Sequence, residues 1–177
     1  MDILMLSAKS IVFILPSYFA NATPVVLGGG TPIDFNKKMW DKNRVFGRGK
    51  TIRGFFAGIF AAILVGSAQA LALPGTWLDL YPGSPSHYVF AGTLLGLGTM
   101  VGDLAGSFVK RRQGMEQGKP SFLLDQLSFL LFALLFAYPV ASQHIYPESA
   151  AFLALVTYFV HAGANILANK IGLKKVP

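Results

Sequence analysis

Residues 54–73 read GFFAGIFAAILVGSAQALAL, an unbroken run from Gly54 to Leu73 with no Asp, Glu, Lys or Arg. A helix of about 20 such residues is long enough to cross a hydrocarbon core of about 30 Å. Four more windows of similar length and character lie at 3–27, 89–108, 122–141 and 150–168. The segments between them are short and rich in Gly, Pro, Ser, Lys and Arg, which leaves no room for a separate soluble domain. The pattern predicts an all-α, polytopic integral membrane protein with about five transmembrane helices, in a single domain over residues 1–177. The first window contains Lys9 and Pro16 and runs into Thr23-Pro24, not into a small-residue cleavage site, so it is read as a retained helix.

Hydrophobic residues make up 53% of the chain, more than a soluble protein of 177 residues ordinarily carries. The net charge of +7 follows the helix alternation, which argues against a nucleic-acid partner and for a membrane one. Seven Lys and Arg lie between the first two windows, from Lys37 to Arg53. Four more, Lys110, Arg111, Arg112 and Lys119, lie between the third and fourth, and Lys170, Lys174 and Lys175 follow the fifth. Segments 74–87 and 142–149 hold no Lys or Arg and carry Asp79 and Glu148. Cationic loops stay on the cytoplasmic side, so the amino terminus is expected outside, with the carboxyl terminus and any basic site facing the cytoplasm. The localisation expected is the cell membrane, multi-pass. The chain has no cysteine, which excludes disulfides, thiolate metal sites and cysteine nucleophiles.

An ionisable residue inside a membrane window is costly and marks a functional candidate. Asp103 stands near the cytoplasmic end of the third window, with Ser107 and Lys110 following at helical spacing on one face. Asp125 enters the fourth window after Lys119-Pro120-Ser121, with Ser128 one turn further in. The short connection makes the two helices antiparallel neighbours, so the two carboxylates are expected to face each other. Each alone could serve to neutralise nearby cations at the membrane edge. As a pair beside lysines they suit Mg²⁺, which takes one or two protein carboxylates and fills its other positions with water and phosphate oxygens. Zinc is disfavoured without Cys and with three scattered His.

The spacing Gly92-x-x-x-Gly96 and Gly98-x-x-x-Gly102-x-x-x-Gly106 reads as close helix packing, not as ligand contact. In the last window Thr157, His161, Asn165 and Asn169 recur every four residues. That stripe fits substrate contact and interhelical hydrogen bonding about equally. The segment Gly47-Arg48-Gly49-Lys50-Thr51-Ile52-Arg53-Gly54 invites a phosphate-loop reading, but Arg44 stands where that pattern demands Gly and no strand precedes it. Lys50, Thr51 and Arg53 at a helix start can still hold phosphates. A basic loop resting on anionic lipid headgroups is the other reading.

The run Gly102-Asp103, Ser107, Lys110-Arg111, Lys119 and Asp125 resembles the signature of the CTP-dependent phosphatidate cytidylyltransferase superfamily. Asn21-Ala22-Thr23-Pro24-Val25, Pro32-Ile33-Asp34, Gly49 to Gly54, His161-x-x-x-Asn165 and the tail Gly172 to Pro177 resemble its archaeal branch, the CDP-archaeol synthases. Two positions depart from the pattern: Ser128 stands where a second Asp is usual, and Arg48 where relatives are often acidic. The resemblance implies transfer of CMP from CTP to 2,3-bis-O-geranylgeranylglycerol 1-phosphate, an isoprenoid glycerol ether phosphate lipid, with release of pyrophosphate. It implies Asp103 and Asp125 as carboxylates for Mg²⁺, Lys110 and Lys119 as catalytic cations, and Lys50, Thr51, Arg53, Ser107, Arg111, Ser128, His161 and Asn165 as substrate contacts. Such a reaction needs charge neutralisation more than a base, since a phosphate monoester, with a second pKa of about 6, is already ionised at neutral pH. The competing class is a small transporter or channel, which would place its ionisable groups at the bilayer centre and show internal repeats. Here they cluster near one surface, without a repeat.

Overall fold

A computed structural model describes residues 3–117, 119, 121 and 124–170, with the backbone alone at positions 161, 162, 164, 165 and 167–169. Five helices form where the five apolar windows lie: α1 (Ile3–Leu27), α2 (Ile52–Ala72), α3 (Ser86–Arg112), α4 (Leu124–Ala141) and α5 (Pro147–Lys170). A single 3₁₀ turn, Ser142–His144, joins the last two. Among the described residues, the first four are each long and apolar enough to span a bilayer, and α5 adds an apolar stretch over Pro147–Val160. The expected all-α membrane architecture is therefore the one observed. The tail from residue 171, with its Lys174 and Lys175, lies outside the described residues.

The helices turn large apolar side chains outward as well as inward. Phe56, Phe60 and Leu64 repeat every four residues along α2 and are more than half exposed, as are Leu131 and Leu135 on α4 and Leu155 and Phe159 on α5. A contiguous apolar belt of that size is unfavourable in water and is what a helix bundle presents to lipid. Inside, Phe13, Ile14, Tyr88, Leu95, Phe129 and Leu153 form the main core. Hydroxyl and amide side chains cross-link the helices within it. Tyr18 Oη pairs with Thr157 Oγ1 at 2.9 Å, and Gln69 Nε2 donates to the Val12 carbonyl at 2.7 Å. Thr157 of the polar stripe thus acts as interhelical glue.

α3 sits at the centre, packed on α1, α2 and α4, while α5 leans on α1 and α4. Its glycines permit this. A Cβ on Gly102 would lie 2.5 Å from the Ser128 carbonyl oxygen and 2.7 Å from Phe129 Cα, so α4 rests directly on the α3 backbone. On another face a Cβ on Gly92 would meet the Ala62 carbonyl of α2 at 3.1 Å. The packing expected of the small-residue stripe is the packing found.

The connections segregate to two ends. At one end the α1–α2 loop meets the α3–α4 connection, with Arg48 N donating to Gln117 Oε1 at 3.2 Å. At the other the α2–α3 loop meets the 3₁₀ turn, with His144 Nε2 3.0 Å from the Leu80 carbonyl. All the basic loop residues lie at the first end. Lys9, near the start of α1, reaches the second and donates to the Asp79 carbonyl at 3.0 Å.

Candidate functional site

The α1–α2 loop has no helical or strand periodicity, so its shape must come from individual contacts. One buried carboxylate organises it. Asp34, whose side chain is wholly buried, forms an ion pair with Arg44 and accepts from the backbone N–H groups of Asn36 (3.1 Å), Phe46 (3.2 Å) and Gly47 (3.0 Å). Burial pushes its pKa up, but the Arg44 hydrogen bond and the three amides outweigh that and hold it at about 2. Isolated backbone bridges, Pro32 to Thr51 and Lys38 to Arg44, close the two halves of the loop. The last turn of α3 fastens the loop to the bundle: Arg112 donates to the Arg44 carbonyl at 2.7 Å, pairs with Asp41 at 3.2 Å, and lies over the Phe108 ring at 5.0 Å.

This framework delivers Lys50-Thr51-Ile52-Arg53 to the start of α2. Thr51 is the N-cap: its Oγ1 accepts from Gly54 N at 3.1 Å, which leaves the hydroxyl proton free to donate. Arg53 donates to the Gly28 carbonyl and so ties α2 to the end of α1. Lys50 crosses to α3, where its Nζ lies 2.5 Å from Asp103 Oδ2, both side chains being more than a quarter exposed. Pro24, Phe55, Met100 and Leu104 wall the small cleft around this pair. Ser107 lies one turn beyond Asp103 and is half-buried.

Asp125 stands in the first turn of α4, its Oδ2 accepting from Ser121 N at 2.8 Å. Its cation partner is Lys110, at 2.8 and 3.0 Å from the two carboxylate oxygens. Asp103 and Asp125 are therefore each engaged with a lysine from another segment of the chain. Each lysine compensates its carboxylate locally. Among the described residues no group of three or more His, Asp and Glu converges. Ser128 donates to the Leu124 carbonyl at 2.5 Å and lies against Gly106, so its hydroxyl is committed to the backbone of its own helix where α4 meets α3. Arg111 donates to the Glu116 carbonyl at 3.2 Å, and Lys119 is exposed. The side chains of His161 and Asn165 lie outside the described residues.

Several members of the site were given no functional role from sequence. Asp34 is one: it stood only within the Pro32-Ile33-Asp34 resemblance, and with Asp41 it is one of two acids in a strongly basic loop. Gln117 is another: its amide spans Gly47 and Gly49, where added Cβ atoms would lie 3.9 and 3.5 Å away. Beside it opens a cavity of about 310 Å³ lined by Lys38, Lys42, Arg44, Arg111 and Glu116.

An arrangement of this kind, with cations and carboxylates meeting apolar walls at one end of a membrane bundle, suits an anionic headgroup attached to a hydrocarbon tail. Comparison with known proteins points the same way. A family model described as "CarS-like: CDP-archaeol synthase" matches residues 1–177. The chain is 52% identical over 165 residues to a CDP-archaeol synthase of Pyrococcus horikoshii, covering 93% of each. It is 43% identical over 180 residues to one of Methanococcus aeolicus, covering 99% of each. A solved chain, described in the words "Structural insight into an intramembrane enzyme for archaeal membrane lipids biosynthesis", superposes with a TM-score of 0.75 at 39% identity, over 88% of this chain and 92% of that one.

Proposed function

The chain belongs to the CarS-like CDP-archaeol synthase family, and from that premise we propose that it transfers CMP from CTP to 2,3-bis-O-geranylgeranylglycerol 1-phosphate, releasing pyrophosphate. The observation that carries this reading is the Lys50–Asp103 pair, 2.5 Å apart in a cleft that Pro24, Phe55, Met100 and Leu104 wall beside Thr51. A phosphate on a membrane lipid needs a cation at headgroup depth and a path that keeps its tails in hydrocarbon. Phe55, Met100 and Leu104 supply that path beside Lys50, so the lipid enters sideways from the bilayer. The orientation follows from the charge: with the Lys- and Arg-rich end in the cytoplasm, CTP reaches the site directly.

The donor chemistry at Asp103 and Asp125 fits Mg²⁺. Both are hard oxygen donors, 28% and 31% exposed, and each already attracts a cation to within 2.5–2.8 Å. Asp103 and Asp125 would hold Mg²⁺, which would supply positive charge against the repulsion between phosphate oxygens and an incoming anion. The residues of the chain do the rest. Lys50 and Lys110, drawn off their carboxylates, turn to phosphate oxygens. The Thr51 hydroxyl donates to one of them, while Arg111 and Lys119 add charge from the α3–α4 connection. Ser107, His161 and Asn165 extend the contacts along α3 and α5. No side chain has to remove a proton, because the attacking phosphate is already ionised.

The test is direct. Purified protein given CTP labelled at the α-phosphate and the isoprenoid phosphate lipid should transfer label to the lipid phase with release of pyrophosphate. Label remaining wholly in the aqueous phase, with substrate and Mg²⁺ in excess, would sink the reading.

A further inference from the structure

The bundle meets lipid along its sides, and at its basic end two further aromatic rings stand clear of the protein. Phe35 is 62% exposed and Trp40 80%, although both belong to the α1–α2 loop and not to a membrane helix. Three lysines of the same stretch, Lys37, Lys38 and Lys42, are exposed as well. We propose that the segment from Phe35 to Lys42 docks on the acidic headgroup surface of the bilayer, with the Phe35 and Trp40 rings seated in the interfacial layer and Lys37 and its neighbours against acidic headgroups.

The backbone holds this segment at headgroup depth. Ile52 N donates to the Thr31 carbonyl at 3.0 Å and Ile33 N to the Lys50 carbonyl at 2.8 Å, so residues 31–33 are fastened to the residues that open α2. Phe35 follows two positions later, beside the point where α1 and α2 leave the hydrocarbon. The exposed Val25, Val26 and Leu27 carry the lipid-facing belt of α1 up to that level. Trp40 is held at the end of another helix: its ring lies 5.7 Å from the guanidinium of Arg112, in the last turn of α3. Tryptophan at the rim of a membrane bundle is suited to the interface, where one side of the ring is apolar and the other wet.

The conformation of Phe35 points the same way. Its φ is 47° and that of Asn36 is 63°. Asparagine tolerates this left-handed region, whereas a bulky phenylalanine adopts it at a cost. The turn is closed from within, Phe35 N donating to the Pro32 carbonyl at 3.0 Å and Asn36 N to Asp34 Oδ1 at 3.1 Å. It leaves the ring with little packing inside the protein to offset the strain, and burial in the lipid interface supplies the offset. Charge completes the match. Asp34 is paired with Arg44 and Asp41 with Arg112, while none of the three lysines forms an ion pair among the described residues. Water gives the rings nothing, and a purely apolar partner would leave the lysines unpaired. An acidic lipid surface satisfies both. Lys37 also lines neither recess beside Gly47–Lys50, so the site does not account for its charge.

Trp40 is its own reporter. The chain has two tryptophans, so Trp77→Phe leaves Trp40 alone. The full chain carrying that change is placed in nanodiscs of phosphatidylcholine, with and without phosphatidylglycerol. It is then probed with acrylamide from the water and with lipids brominated high on their acyl chains. In the acidic discs Trp40 should emit at shorter wavelength, be quenched by brominated lipid and be shielded from acrylamide, and each effect should be weaker in phosphatidylcholine alone. Lys37→Gln should lower the ratio of docked to free loop about fivefold, the scale for one lysine near an acidic membrane surface. Acrylamide quenching that is the same in both discs overturns the proposal. Shielding without quenching by brominated lipid overturns it too, since protein would then cover the ring, and so does a Lys37→Gln loop as well shielded as the native one. None of these readings depends on turnover, so the docking surface stands or falls apart from the transferase activity.

Discussion

The two ends of the bundle are each organised by one loop aspartate, and they use it to opposite purposes. At the basic end Asp34 gathers Arg44 and three backbone amides. At the other end Asp79 gathers the amides of Gly75 (3.0 Å) and Tyr81 (3.1 Å) and the hydroxyl of Tyr88 (2.8 Å). The first loop pairs Asp34 with Arg44 and Asp41 with Arg112, and so presents Lys38 and Lys42 at one recess and Lys50, held on Asp103, at the other. The second has no cation to spare: Lys9 is absorbed by the Asp79 carbonyl, and Tyr81 packs edge-on against both Tyr88 and His144, at 4.9 and 5.1 Å. One end stages charge and the other seals. The same carboxylate-to-amide chemistry thus closes a loop in both places, and what surrounds it decides whether the result is a site or a plug.

The largest contrast expected between the ends is catalytic. Lys50→Ala removes the cation from the Asp103 cleft and should lower CDP-lipid formation on the order of 100-fold, the usual scale for a group that neutralises transition-state charge. Lys9→Met removes the one Lys or Arg that reaches the sealed end among the described residues and should leave turnover unchanged. Initial rates in detergent or vesicles measure both. Equal losses in the two variants would erase the distinction between staging and sealing.

A smaller contrast concerns stability. Asp34→Asn leaves Arg44 without its counter-charge in a largely buried position and should cost about 3 kcal/mol, near the low end for a broken buried pair because Arg44 keeps some exposure. Thermal unfolding of the purified protein reads it. The pH dependence carries a definite sign. The folded pKa of Asp34, about 2, lies below its ordinary value of 3.8, so the stabilisation is complete above that ordinary value. It is lost as pH falls from about 4 towards 2. Asp34→Asn should flatten that acid limb. The smallest effect is at the sealed end, where Tyr88→Phe deletes one hydroxyl that serves Asp79 and the Leu80 amide and should cost about 1 kcal/mol with activity unaltered.

The fold was open to reading from residues alone because lipid imposes one simple demand: about 20 apolar residues per crossing. Residues 54–73 and their four counterparts meet it, and the observed helices start and stop within a few residues of those windows. Asp103 and Asp125 were equally visible, since a carboxylate in a membrane helix has few bland explanations. Their partners were not. Lys50 reaches Asp103 across 53 positions of sequence, over a loop whose path depends on the buried Asp34 acceptors and has no period to follow. Ser128 looked like a neutral relative of a metal ligand, yet its hydroxyl is turned into α4 by the close approach of Gly106, a contact that exists only once two helices are packed.

The central claim is that charge at the Asp103 end performs the chemistry while charge at the Asp79 end holds structure. It is tested most directly by following α-labelled CTP into the lipid phase with the native protein, Asp103→Asn and Asp79→Asn side by side, after confirming that all three insert and purify as folded protein. The account predicts labelled CDP-lipid from the native protein and Asp79→Asn, and almost none from Asp103→Asn at any Mg²⁺ concentration. Native-level transfer by Asp103→Asn would contradict it.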